Sequence, residues 1–321
     1  MTERQTVVVH GRLAADQSRL EAARSGRHGV QVTSAVGMAA RLAGGFLRGV
    51  DGDTLSIAVG TVLREAPLGT FGDLEPIRSL PGLQLALART LGRAWRAGLD
   101  LDGGRSEHPR FATLATIEEM VRGHLPPGML RPTDLAAAAS ERLRHAPAVL
   151  GAVEVRGMTA LEPVWQALLA DVAGHVPVVW NAGPREAPAW LNVGGIAVRS
   201  SPPALPTVEM QSCATARHEV IEALRWARTL LASGAARAQE VAIATASPGA
   251  YDDMMEAAAA DANLPLHFAH GRSALTTRDG QAAAALADIL VHGLSQDRVR
   301  RLIALVHAPG HAAICSARGL A

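Results

Sequence analysis

Short β-branched runs alternate with helix-periodic stretches from the first residues, and that alternation breaks off once before it resumes. Residues 6–10 read as a strand, 11–16 as a turn, and 17–25 as a helix closed by Gly26. A second strand at 30–33 leads into a helix at 36–48, with Met38, Leu42 and Phe46 at four-residue spacing. From about 55 to 146 the pattern is helical only, with helices expected near 55–65, 83–97, 111–123 and 133–145. Strand 151–155, helix 161–173 and strand 176–180 then restore the βα pattern. The expectation is one largely parallel sheet of strands 6–10, 30–33, 151–155 and 176–180, with 55–146 outside it as a helical insertion.

Proline and glycine crowd residues 181–206, including Pro184, Pro188, Pro202, Pro203 and Pro206 with Gly183, Gly194 and Gly195, the composition of a linker. The domain boundary falls near Thr207, giving domains 1–206 and 207–321. The second is expected to be a further α/β unit, with strands 208–212, 240–245 and 264–268 and helices 215–233, 249–262, 276–293 and 295–307.

Hydrophobic residues make up 48% of the chain and charged residues 19%, so it should fold, but aromatics are only 3% and the core must be aliphatic. Basic and acidic residues nearly cancel, 31 against 30, so any nucleic-acid surface has to be a local patch. Every basic residue is arginine. The absence of lysine excludes a phosphate-loop lysine, a Schiff-base lysine and a PD-(D/E)XK nuclease lysine within this chain. Cys213 and Cys315 lie far apart with no CxxC, which fits a reducing cytoplasm and offers no thiolate metal site. No window approaches the ~18 apolar residues of a membrane span, and no membrane partner is expected.

The segment 11–18 follows a strand and opens a helix, the setting of a phosphate-binding G-x-x-x-x-G-K-[ST] loop. Gly11 and Ser18 match, but Asp16 stands in place of the second glycine and Gln17 in place of the lysine. A carboxylate at a helix N-terminus would occupy the phosphate position and repel the ligand, so the expectation is a self-capped helix start. A magnesium-holding acid is also missing: Arg156 stands near the end of strand 151–155, and Glu154 reads as a solvated strand residue.

Other polar groups read as surface. Glu118–Glu119 and Asp252–Asp253 are adjacent on helices and point ~100° apart, so they read as solvated faces. His267 and His270 flank a strand end, and Ser34 lacks a G-x-S-x-G elbow. His307, His311 and Cys315 are spaced by four, but Pro309 and Gly310 interrupt them, so no metal site and no cofactor is expected.

The stretch from about 208 to 309 resembles the second motor domain of UvrD-type superfamily 1 helicases, and more closely the AddB-type subunit of bacterial double-strand-break repair helicase–nucleases. The residues carrying this are 216–224 leading a helix, 240–246 as the next strand, the turn Asn263-Leu264-Pro265-Leu266, the segment 270–275 and the helix opening at 297–302. Residues 30–34 followed by 38–42 are similar to the helicase motif Ia element of that family, and 153–163 to its next strand and turn.

The resemblance implies two RecA-like domains, the first with a helical insertion, and a PD-(D/E)XK nuclease domain with iron–sulfur cysteines beyond residue 321. It also implies a repair role with an AddA-like helicase–nuclease partner. Gln17 at the lysine position, Arg156 where an acid is needed and Ala246 in place of a phosphate-contacting arginine imply a chain inactive as an ATPase, and this chain is not expected to act as a nuclease. The function expected is a non-hydrolysing scaffold engaging single-stranded or unwinding DNA through Thr33, Ser34, Arg41, Arg217 and Arg272; the alternative is a protein-interaction scaffold without DNA contact. A doubly wound dinucleotide enzyme would need a G-x-G-x-x-G loop, which the sequence lacks.

Overall fold

Five short strands, none longer than six residues, carry the first part of the chain. The computed structural model describes residues 4–192, 195–202 and 207–306. Contacts divide the chain into two units, Met1–Pro206 and Thr207–Ala321.

The first unit runs β1 (Gln5–Val8), α1 (Arg12–Arg24), β2 (Val30–Thr33) and α2 (Ala35–Leu42). The excursion follows with β3 (Arg48–Gly49), α3 (Gly52–Glu65), α4 (Pro81–Ala97), α5 (Pro109–Gly123), β4 (Met129–Leu130), α6 (Pro132–Ser140) and α7 (Ala146–Val149). The sheet resumes with β5 (Ala152–Arg156), α8 (Pro163–Ala173), β6 (Val178–Gly183) and β7 (Ala197–Ser200). Its order is β2-β1-β5-β6-β7 and every neighbouring pair is parallel. The α/β class and the parallel sheet are therefore as the alternation predicts.

Side-chain alternation sorts the two faces. Val8, Val153, Val155, Val178 and Trp180 pack with Met38 and Leu42 of α2, Leu135 of α6 and Leu168 and Leu169 of α8. On the other face Val7, Val9 and Val32 meet Ala14 and Ala15 of α1. The excursion has its own core, in which Leu55 and Val59 of α3, Leu91 and Trp95 of α4, and Ile117 and Val121 of α5 interlock.

Four expectations need correction. The helix expected at 36–48 ends at Leu42, because Gly44 and Gly45 take positive φ, and Phe46 lies outside it and exposed. The stretch 55–146 is not purely helical, because β4 pairs with β3 in a separate two-residue parallel ladder, and α6 joins the core of the sheet. The expected linker 181–206 holds the end of β6 and the edge strand β7. All four residues of β7 are exposed, so no buried face marked it in a sequence dominated by proline and glycine.

In the second unit α9 (Ala216–Ala232), α10 (Pro248–Asp261), α11 (Arg278–His292) and α12 (Gln296–Val306) form close to their expected positions, but residues 208–212, 240–245 and 264–268 form no strand among the described residues. Residues 241–245 do alternate in burial, and Ile243 packs with Leu224 and Met255. A strand exists only through its ladder, and none of these segments hydrogen-bonds to another.

The return from the excursion turns on Gly151, whose φ is +64° and whose missing Cβ would lie 1.9 Å from the carbonyl oxygen of Arg4. Both the left-handed backbone and the close approach demand glycine. Gly151→Ala should lower unfolding stability by about 2–4 kcal/mol, read from the urea midpoint at unchanged m-value. A midpoint equal to wild type would show that β1 and β5 do not meet as closely as described.

Candidate functional site

Strand order reverses at β1, which lies between β2 and β5, so the loops leaving β1 and β5 diverge and open a crevice at the carboxyl edge of the sheet. A cavity of about 890 Å³ fills it. Val9, His10 and Gly11 after β1, Ser34 after β2 and residues 157–162 after β5 form its floor. The start of α3, with Asp51 and Asp53, and Arg89, Gly92 and Arg96 of α4 form its roof. The helical excursion is thus what turns an open sheet edge into a cleft.

The expected self-capped loop is not what α1 presents. Gly11, at φ +83°, is the N-cap, no side chain caps the helix, and Arg12 is already helical. Asp16 sits in the second turn, paired with Arg19 at 2.8 Å and with Arg12 at 3.9 Å, and Gln17 and Ser18 follow within the helix. Leu13, Ala14 and Ala15 are good helix formers and draw the helix back to Gly11. The connection that would wrap a phosphate is reduced to Val9, His10 and Gly11.

Of the expected DNA-contacting residues in the first unit, Ser34 lines the cavity. Its hydroxyl accepts from the Gly37 amide at 3.1 Å and caps α2. Thr33 is the half-buried last residue of β2. Arg41, in the last turn of α2, hydrogen-bonds Gln31 and stands off the cavity. The other two belong to the second unit. Arg217, in the first turn of α9, has no hydrogen bond or ion pair among the described residues. Arg272 pairs with Glu256, lies 5.9 Å from the Phe268 ring centre and lines a crevice of about 400 Å³ along α10.

The charges of the roof escaped the motif reading. Asp51 accepts the Thr54 amide at 2.7 Å, and that hydrogen bond holds its carboxyl below the usual aspartate value. Arg96 pairs with Glu162 at 3.0 Å, and Glu162 also accepts the Trp165 indole at 3.0 Å. The spacing of Arg89 and Arg96 by seven, which puts both on one helix face, was the signal available in the sequence.

Glu154 is buried, not solvated. Arg156 donates to its two oxygens at 2.6 and 3.0 Å and reaches Glu21 at 3.1 Å, while Gln5 donates to Glu154 at 3.1 Å. Burial pushes the Glu154 carboxyl up, but the hydrogen bonds and charge of Arg156, with Asn181 and Arg199, hold it below the ordinary glutamate value. Glu118 is likewise buried: it accepts the Trp95 indole at 2.7 Å and pairs with Arg131, which clasps Asp134 at 2.8 Å. Its neighbour Glu119 is exposed, as adjacency on a helix requires. Asp252 is half-buried and bonded to His270 at 2.7 Å.

His307, His311 and Cys315 lie outside the described residues, within which no cluster of three or more histidine, cysteine or acidic residues could hold a metal. No described helix is long and apolar enough to cross a membrane. No protein-family model matches the chain, and no curated protein matches it in sequence.

If the early start of α1, and not merely the lost residues, disables the loop, then the double change Asp16→Gly with Gln17→Lys should not confer nucleotide binding. Calorimetry with millimolar ATP and magnesium should record no binding heat. Micromolar affinity in that variant would show that the loop backbone is still competent.

Proposed function

We propose that the chain is a non-hydrolysing helicase-like scaffold that engages single-stranded DNA in double-strand-break repair by recombination, in the manner of an AddB-type subunit acting in the cytoplasm. The observation that carries this reading is the cavity at the carboxyl edge of the parallel sheet, roofed by a helical excursion and bordered by a nucleotide loop recast as helix. In this reading the crevice survives without the loop lysine and the magnesium-holding acid that ATP hydrolysis needs. In this reading the two units derive from RecA-like domains, and Ile243, Leu264 and Phe268 of the second pack against α9 and α10 where strands would lie.

A single strand suits the cavity better than a duplex, because about 890 Å³ admits a few unstacked nucleotides and not a double helix. In the first unit Thr33 and Ser34 would border the strand, with Arg41 as a phosphate contact outside the cavity; Arg217 and Arg272 are proposed as phosphate contacts of the second unit taken by itself. The partners Gln31 and Glu256 that now hold Arg41 and Arg272 are cheap to exchange, since such surface contacts are worth about 0–1 kcal/mol. Within the cavity electrostatics would supply most of the affinity, because the tryptophans that line it, Trp95 and Trp165, are buried and unavailable for stacking. An AddA-like motor–nuclease would supply the ATPase and translocation.

A scaffold that binds only protein is the second reading. Its support is the apolar surface left open by α11 and α12, where Leu290, Val291 and Leu294 are exposed.

Fluorescence anisotropy with labelled single-stranded and duplex DNA separates the two. The DNA reading expects weak, sequence-independent binding that prefers the single strand and falls with salt at a log–log slope of about −0.7 per phosphate neutralised. No anisotropy change at low salt would remove the DNA reading and leave the protein scaffold.

A further inference from the structure

We infer that Arg89 of α4 is the residue that binds a backbone phosphate in the cavity of the first unit, with Asp53 of α3 limiting the affinity from the same roof. This deepens the DNA reading and rests on it. The argument is an accounting of the charges on the cavity wall. Asp51 caps α3 and keeps its negative charge, which like that of Asp53 opposes an anion, and Arg96 and Glu162 neutralise each other at 3.0 Å. That leaves Arg89 and Asp53, both exposed to the cavity, and neither makes a hydrogen bond or ion pair among the described residues. An exposed guanidinium without a counter-ion is the group with the most to gain from a phosphate, to which it can donate two parallel hydrogen bonds.

Two further features favour a phosphate there. The uncapped N-terminus of α1 at Gly11 borders the same cavity and favours negative charge. The helix carrying Arg89 is also fixed before any ligand arrives, through the Trp95 indole on Glu118 and through Gln84, whose amide donates to the Ser56 carbonyl at 2.8 Å. A helix already in place adds no ordering cost of its own when the ligand binds. Asp53 acts in the opposite sense, because its carboxylate opposes an anion in the same space.

The test uses the full chain and a fluorescein-labelled oligothymidine at low salt, with Arg93 as control, since it is an exposed arginine of the same helix that does not line the cavity. Arg89→Ala should weaken binding by roughly five- to tenfold and flatten the salt slope by about 0.7, the loss of one phosphate contact. Arg93→Ala should stay within about twofold of wild type, and Asp53→Asn should tighten binding by about two- to threefold. Thermal unfolding of each variant checks that the fold is kept.

Wild-type binding with Arg89→Ala no weaker than Arg93→Ala overturns the assignment of Arg89 while leaving the DNA reading in place. A wild type without affinity for the oligonucleotide overturns both. Stabilisation of wild type but not Arg89→Ala by inorganic phosphate, with no DNA binding, overturns the backbone-phosphate assignment in favour of a free anion.

Discussion

The parallel pairing of β1 with β5 is the contact on which the first unit depends. It joins residues 147 positions apart, from Gln5 against Ala152 to Val8 against Val155. Below it the buried Thr6 hydroxyl donates to the Leu150 carbonyl at 2.7 Å, and Gly151 passes the backbone of Arg4 where no Cβ would fit. Because β2 and β5 both run parallel to β1, the chain leaves β2 at the carboxyl edge and must return to the amino edge to begin β5, and the excursion between them covers the carboxyl edge on the way. The cavity is a consequence of that closure. Its floor is the pair of diverging loops, and its roof is the excursion they enclose.

Helices α3, α4 and α5 of the excursion share a hydrophobic core of their own, whereas α6 packs into the core of the sheet, and polar contacts join the two parts. Glu118 on α5 receives the indole of Trp95 on α4 and the guanidinium of Arg131, whose clasp on Asp134 fixes the start of α6. Arg96 on α4 meets Glu162 at the start of α8. Breaking a buried pair of this kind costs about 3–5 kcal/mol, which makes Arg131 more consequential than the exposed pairs of α1. These contacts set how far α4, and with it Arg89, stands from the sheet edge.

Much of the first unit was legible because its signals are local. β-branched runs at 30–33 and 151–155 and the four-residue spacing of Met38 and Leu42 name their own elements. What was not legible required a partner. Glu154 reads as half of an alternating exposed face until Arg156 and Gln5 are seen to close over it, and Glu118 until Trp95 and Arg131 arrive from distant positions. β7 has no buried side chain to announce it. In the second unit, residues 241–245 have the alternation of a strand but no ladder. At the site, Ser34 was named only through the resemblance of residues 30–34 to a helicase motif Ia element, whereas Arg89 and Asp53 belong to helices whose relevance appears only when they fold over the sheet edge. Asp16 was misplaced because substitution at a motif position says nothing about whether the loop's backbone is still there.

Hydrogen–deuterium exchange of the full chain, with and without saturating single-stranded DNA, locates the ligand without altering a residue. If DNA lies in the carboxyl-edge cavity, amides of residues 9–12, 34–37, 51–54 and 157–162 should slow together on binding, while the edge strand at 197–200 and the outer face of α5 stay unchanged. Protection confined to the second unit, or none along those four loops, would contradict the assignment of the cavity as the place where DNA is held.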